Sequence, residues 1–159
     1  MKKIFSSGYS ETGLSAGLFI IRILIGVLMG IYGYQKLMDF GTQSVSDFWV
    51  KEVNFLGLGG KVSLGLTIFA ELFCSILLIL GLATRLALIP LIICMGFIFV
   101  TMNNFEIIQK GDNGPHMNDV FFYMMIYVAL LLTGPGKWSL DYLIGKSKGG
   151  YQHVDKRTV

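Results

Sequence analysis

The sequence predicts an all-α, integral membrane, antiparallel four-helix bundle, and three observations carry that expectation. Hydrophobic residues make up 53% of the chain and charged residues only 14%, against about 25% charged in ordinary soluble domains. The apolar excess is gathered into four blocks, Leu14–Leu37, Val62–Leu82, Leu86–Met102 and Asn118–Thr133. The link between the second and third blocks is very short, which makes those helices antiparallel neighbours. A hydrocarbon core about 30 Å thick takes roughly 17–25 helical residues. The first three blocks supply that length, and the fourth does so only with Met117 and Asn118 at the interface. A soluble bundle would need a charged face on every helix, and blocks two to four have almost none.

The elements follow in chain order. Residues 1–13 are expected to form a cytoplasmic N-terminal segment, and residues 14–145 the four-helix domain. The first helix covers about 14–37. Lys2 and Lys3 resemble the start of a signal peptide, but the apolar block begins late, is too long, contains Arg22 and has no clear cleavage site after it, so it is read as a retained helix. In the loop from Met38 to Lys61, Val45, Phe48, Trp49, Val53 and Leu56 recur at roughly helical spacing between Asp47, Lys51 and Glu52. That pattern predicts a short amphipathic helix on the membrane surface with Trp49 at headgroup level. The second helix covers about 62–82 and ends at Gly81 as a C-cap. The third covers about 85–102, with Thr84 as its cap and Pro90 in its first turns, where a missing N–H costs least. The fourth covers about 117–133 and is stopped by Gly134, Pro135 and Gly136, since proline cannot continue a helix. Residues 146–159 read as a polar, glycine-rich tail.

Orientation follows from the basic residues in the flanks and loops. Four spans put the N-terminus, the second-to-third loop and the C-terminus on one side, with eight lysines and arginines, and leave four on the other. The positive-inside rule then places both termini in the cytoplasm. The net charge of +3 follows from this excess and points to anionic lipid as a partner. No nucleic-acid motif occurs.

Charges inside the apolar blocks are the candidate functional residues. Arg22, Gly26, Met29, Gly33 and Lys36 fall on one helical stripe, and Gly26, Gly30 and Gly33 form a small-residue face that admits a close neighbour. Glu71 is the only acid well inside a block. Its estimated depth differs from that of Arg22 by about 5 Å, and an unpaired charge there costs at least about 2.5–3.5 kcal/mol. The expected arrangement is therefore an Arg22–Glu71 pair flooring a polar pocket. Asp119, Tyr123 and Tyr127 recur at i, i+4 and i+8 on the fourth helix, and Tyr127 is deep enough to need a hydrogen-bond partner. With Lys36 they complete a candidate ligand-binding set of Arg22, Glu71, Tyr127, Lys36 and Asp119. Tyr32, Tyr34, Asn103, Asn104 and His116 would ring the same end. His116, Asp112 and Asp119 lack the spacing of a metal site. Cys74 and Cys94 are not a CxxC pair and read as inert buried thiols. No haem, flavin or metal motif occurs, and no autonomous catalytic motif.

Three stretches resemble the DoxX family of small four-helix membrane proteins. They are RILIGVLMGIYGYQKL with Arg22, Gly26, Gly33 and Lys36, AELFCSILLILGLATRLA with Glu71, Gly81, Leu82, Thr84 and Arg85, and GPGKWSLD with Gly134, Gly136, Ser139 and Asp141. The resemblance covers about residues 14–145. It implies a membrane subunit tied to redox chemistry, since the family takes its name from a subunit paired with a thiosulfate:quinone oxidoreductase. The expected function is thus a quinone- or lipid-headgroup-binding subunit that docks a redox enzyme or a second copy of itself. The alternative is a non-catalytic scaffold or small-solute carrier.

Overall fold

The computed structural model describes residues 10–40, 57–111 and 114–147. The surface helix expected around Trp49 and most of the tail lie outside the described residues. Helix α1 runs Glu11–Met38. Helix α2 runs Gly60–Leu80 and contains a π-helical segment, Phe69–Cys74. Helix α3 runs Thr84–Thr101. A two-stranded antiparallel hairpin follows, β1 Ile108–Gly111 and β2 Gly114–Met117, with Ile108 opposite Met117. Helix α4 runs Asp119–Thr133, and a short helix α5 runs Leu140–Ser147. The described residues are all-α apart from the hairpin.

Helices α1, α2 and α3 are each long and apolar enough to cross a membrane. Helix α4 has 15 residues and rises only about 22 Å, so the fourth element is shorter than a full span. It packs along α3, α3 packs on α2, and α1 packs on α2. The core between them is lined by Ile25, Met29, Leu78, Leu88, Leu91, Tyr127 and Leu130. The outer surface is apolar as well: Leu86 is 70% exposed and Leu132 76%. An apolar exterior of this extent is stable only in a lipid solvent.

Two features of the sequence set the α1–α2 contact. A Cβ on Gly33 would stand 2.6 Å from the Leu72 backbone nitrogen and 2.8 Å from the Glu71 carbonyl carbon. Helix α1 therefore touches the bare backbone of α2 at its π segment, which only glycine permits. A Cβ on Gly26 would meet Ile79 at 2.6 Å, whereas one on Gly30 would meet Ser75 at an ordinary 3.9 Å. The small-residue face is thus tight at two of its three glycines.

The helix ends opposite the hairpin are knotted together. Gly81 closes α2 in the left-handed region (φ +67°), with its own N–H bonded to Leu78 O and the Leu82 N–H bonded to Leu77 O, the Schellman pattern expected of a C-cap glycine. The expected Thr84 cap is replaced by a remote one. The Asp141 carboxylate accepts the Ala83 and Thr84 N–H groups at 2.6 and 2.8 Å, while the Thr84 hydroxyl is buried without a partner among the described residues. A carboxylate satisfies two orphan donors at once and opposes the positive end of the helix dipole, which a hydroxyl does less well.

Candidate functional site

The bundle holds its internal charges at two levels, and the expected Arg22–Glu71 pair is not formed. Arg22 is fully buried at the α5 end. Its Nη1 donates to Pro135 O and its Nη2 to Trp138 O, the latter at 2.9 Å. Its guanidinium lies 5.8 Å from the Phe19 ring centroid and within electrostatic range of Asp141. Gly81 makes room for it, since a Cβ there would fall 2.8 Å from Nη1. Ser139 finishes the turn, its hydroxyl donating to Gly136 O and accepting from Tyr142 N–H. Gly134 and Gly136 take positive φ, so the Gly134-Pro135-Gly136 turn bends the Pro135 carbonyl back onto the arginine.

Glu71 pairs instead with Lys36, whose Nζ donates to Glu71 Oε2. The reason is the direction of helical side chains, which lean toward their own N-terminus. On α1 that lean carries Arg22 away from Glu71 toward the α5 end, and carries Lys36 down into the bundle. On the antiparallel α2 it carries Glu71 toward the hairpin end and so toward Lys36. The close approach at Gly33, one turn before Lys36, brings the two backbones near enough for the pair to close. The π segment lies at this contact, where widened turns recur at functional sites.

The Lys36–Glu71 pair faces a cavity of about 360 Å³ at the hairpin end, between α1, α2, α3 and α4. Met29, Met95, Ile98, Met102 and Val120 make apolar walls, and Tyr32, Tyr123 and Asp119 join the pair as its polar lining. Glu71 is almost wholly enclosed, while a quarter of the Lys36 side chain is reachable from outside. The Lys36 ammonium also sits 5.9 Å from the centre of the Tyr32 ring. Tyr127 is fully buried, within electrostatic range of Glu71 and Cys94, and its hydroxyl has no hydrogen-bond partner among the described residues.

Of the residues singled out from the sequence, Lys36, Glu71 and Asp119 therefore share one cavity, Tyr127 lies buried near its carboxylate, and Arg22 belongs to the opposite end. Of the cavity-wall methionines, Met29 shares the Lys36 stripe on α1, whereas Met95 and Met102 belong to α3, whose sequence gives no such signal. Asn118 was also missed: its side chain caps α4 by accepting from Val120 and Phe121 N–H, and it donates to Glu106 O. It thereby fixes Asp119 at the cavity mouth. Asp112 lies outside the described residues, and among the described residues no three ligating side chains gather. Both cysteines are free thiols.

The DoxX family model matches residues 17–104. The chain is 31% identical to the uncharacterized membrane protein Rv3486 of Mycobacterium tuberculosis (strain ATCC 25618 / H37Rv), with 79% of this chain and 80% of that protein covered. No solved structure matches it. The match takes in the Arg22 stripe, the π segment with Glu71 and the short turn at Gly81: the chain belongs to the DoxX family of membrane proteins.

Proposed function

We propose that this protein binds the headgroup of a quinone-type amphiphile in the cavity beside Lys36 and Glu71, as a membrane subunit serving a redox enzyme. The observation that supports it is a charged hydrogen-bonding pair set in the wall of an otherwise apolar cavity. Binding sites for small amphiphiles are mostly apolar, with a few placed polar groups that fix orientation. Quinone carbonyls accept hydrogen bonds, and the Lys36 ammonium and the tyrosine hydroxyls supply donors. The methionine walls adapt to a flat ring. A quinone, when bound, supplies two-electron chemistry that the chain's own side chains lack. Lys36 and Glu71 would orient its ring and hold a proton beside its oxygens, and Asp119 would sit at the mouth. Arg22 takes no part, because its guanidinium is committed to backbone carbonyls at the other end. In this reading the protein sits in a bacterial inner membrane with both chain termini cytoplasmic and the cavity facing outward, the orientation that the distribution of basic residues supports.

The test is extraction of the protein purified in native lipid discs, followed by titration with a short-chain benzoquinone. Quinone should copurify, and Lys36→Met should reduce both its content and the saturable binding of the added benzoquinone by about tenfold, the weight of a charged hydrogen bond. Absence of quinone from the extract together with non-saturable uptake would sink this reading and favour a scaffold.

A further inference from the structure

We infer that α5 is an interfacial helix that seats its apolar face in the lipid leaflet at the α5 end and recruits anionic phospholipid there. Four facts lead to it.

The first is depth. The Asp141 carboxylate is bonded to the first N–H groups of α3, and its backbone N–H to Gly81 O at the end of α2. Helix α5 is therefore pinned at the level where two spanning helices begin and end, which is the membrane boundary.

The second is the face it shows. No residue of α5 is buried, yet Leu140, Leu143 and Ile144 stand at i, i+3 and i+4, one face of a helix. They are 39, 59 and 45% exposed, and the preceding Trp138 is 52% exposed. Tryptophan beside a short amphipathic helix is the composition of an interfacial anchor.

The third is a cleft. Phe19, Leu80, Trp138, Leu140 and Leu143 line a space of about 330 Å³ between α1 and α5, with the Phe19 and Trp138 rings packed edge to face at 5.8 Å. Its walls are mostly apolar, with Arg22 and Ser139 also in the lining, and Lys137 lies at its edge in an exposed ion pair with Glu11. The cleft suits the upper part of an acyl chain with its headgroup beside that lysine.

The fourth is charge, which selects the headgroup. At the α5 end the described residues hold Arg22, Arg85, Lys137 and Lys146 against Glu11 and Asp141. At the hairpin end they hold Lys36, Lys61 and Lys110 against Asp39, Glu71, Glu106 and Asp119. The sequence flanking α1 and α5 adds Lys2, Lys3, Lys148, Lys156 and Arg157 against Asp155. One end of the molecule is basic and the other acidic, so an anionic headgroup is favoured at α5 and disfavoured opposite.

The chain has two tryptophans, so Trp49→Phe leaves Trp138 as the sole indole. That full-length variant is placed in vesicles mixing phosphatidylcholine with phosphatidylglycerol, one of the two brominated on its acyl chains. Bromines placed high on the chain should quench Trp138 fluorescence. Brominated phosphatidylglycerol should act at about fivefold lower mole fraction than brominated phosphatidylcholine, the weight of one basic residue near a charged leaflet. Lys137→Gln with Lys146→Gln should abolish the headgroup preference and leave the quenching depth. Quenching by aqueous iodide and not by bromolipid would overturn the proposal. So would equal quenching by the two headgroups, or loss of lipid quenching as protein density rises, which would show a second copy covering α5.

Discussion

Two cations fourteen positions apart on one stripe of α1 end in opposite circumstances. Arg22 is spent on backbone: it ties the turn after α4 to the first helix, and both carbonyls it bonds belong to that turn. Lys36 is spent on another side chain and faces a cavity. The difference lies in what each charge replaces. A turn packed against helix ends leaves backbone carbonyls that need a donor, and a planar guanidinium can satisfy two of them in fixed directions where an ammonium presents a point charge. A carboxylate midway along a spanning helix has no such fixed geometry to meet. A flexible lysine serves it, and an ion pair with one reachable partner can exchange that partner for a ligand. The α5 end is thus built for rigidity and the hairpin end for occupancy.

The sharpest way to break this comparison is to remove Arg22. Arg22→Met leaves the part-buried Pro135 and Trp138 carbonyls without their donor, at about 1–3 kcal/mol each. A total loss of about 2–6 kcal/mol is expected, read as thermal unfolding in detergent. Arg22→Lys should recover less than half of it. Full recovery by lysine would mean that charge and not fork geometry matters at this end.

Gly33→Ala comes next. Its Cβ would press on the backbone of Leu72 and Glu71, and backbone cannot rotate away as a side chain can, so about 1–3 kcal/mol of destabilisation is expected. Gly30→Ala on the same face meets only Ser75 at 3.9 Å. It should be neutral or stabilising by up to about 1 kcal/mol, through the better helix propensity of alanine. Equal losses at both positions in a melting series would show that the contact at the π segment is no closer than elsewhere.

These glycines also show what the sequence discloses. Four apolar blocks, the Gly81 cap and the Gly134-Pro135-Gly136 stop are local signals, and they locate the four main helices to within a few residues. The hairpin is not legible, because its four-residue strands carry no clear alternation and depend on Asn118 reaching back to Glu106. Helix α5 is not legible either, since it is held by Asp141 bonding to residues fifty-seven and fifty-eight positions earlier in the chain. The site is half legible. Lys36, Glu71 and Asp119 stand out as rare charges in apolar surroundings, but depth counted from backbone rise assigns Glu71 the wrong cation. Side-chain lean adds a displacement of opposite sign on antiparallel helices, and that displacement decides the pairing.

The ion pair itself supplies a smaller effect. Lys36→Met alone strands the enclosed Glu71 carboxylate. Because Lys36 is partly exposed the loss is discounted to about 1–2 kcal/mol, below the range for fully buried pairs. Lys36→Met combined with Glu71→Gln should recover most of that stability, since no buried charge remains. Saturable benzoquinone binding should stay lost in the double variant. Recovery of both properties would make the pair structural only and remove the contrast between the two ends.

The smallest expected number is a coupling of nearly zero. Arg22 and Glu71 share no partner: one is bonded to Pro135 and Trp138, the other to Lys36. Arg22→Met and Glu71→Gln should therefore add, within the roughly 0.3–0.5 kcal/mol by which independent sites deviate. The same cycle built from Lys36→Met and Glu71→Gln should deviate by more than about 0.5 kcal/mol, with the double variant less damaged than the sum. Thermal unfolding of the five variants and the wild type in one detergent measures both cycles under one condition. Coupling in the Arg22 cycle as large as in the Lys36 cycle would mean that the two ends communicate through the bundle. In that case Arg22 would have to be counted in the cavity's chemistry as well as in the turn it holds.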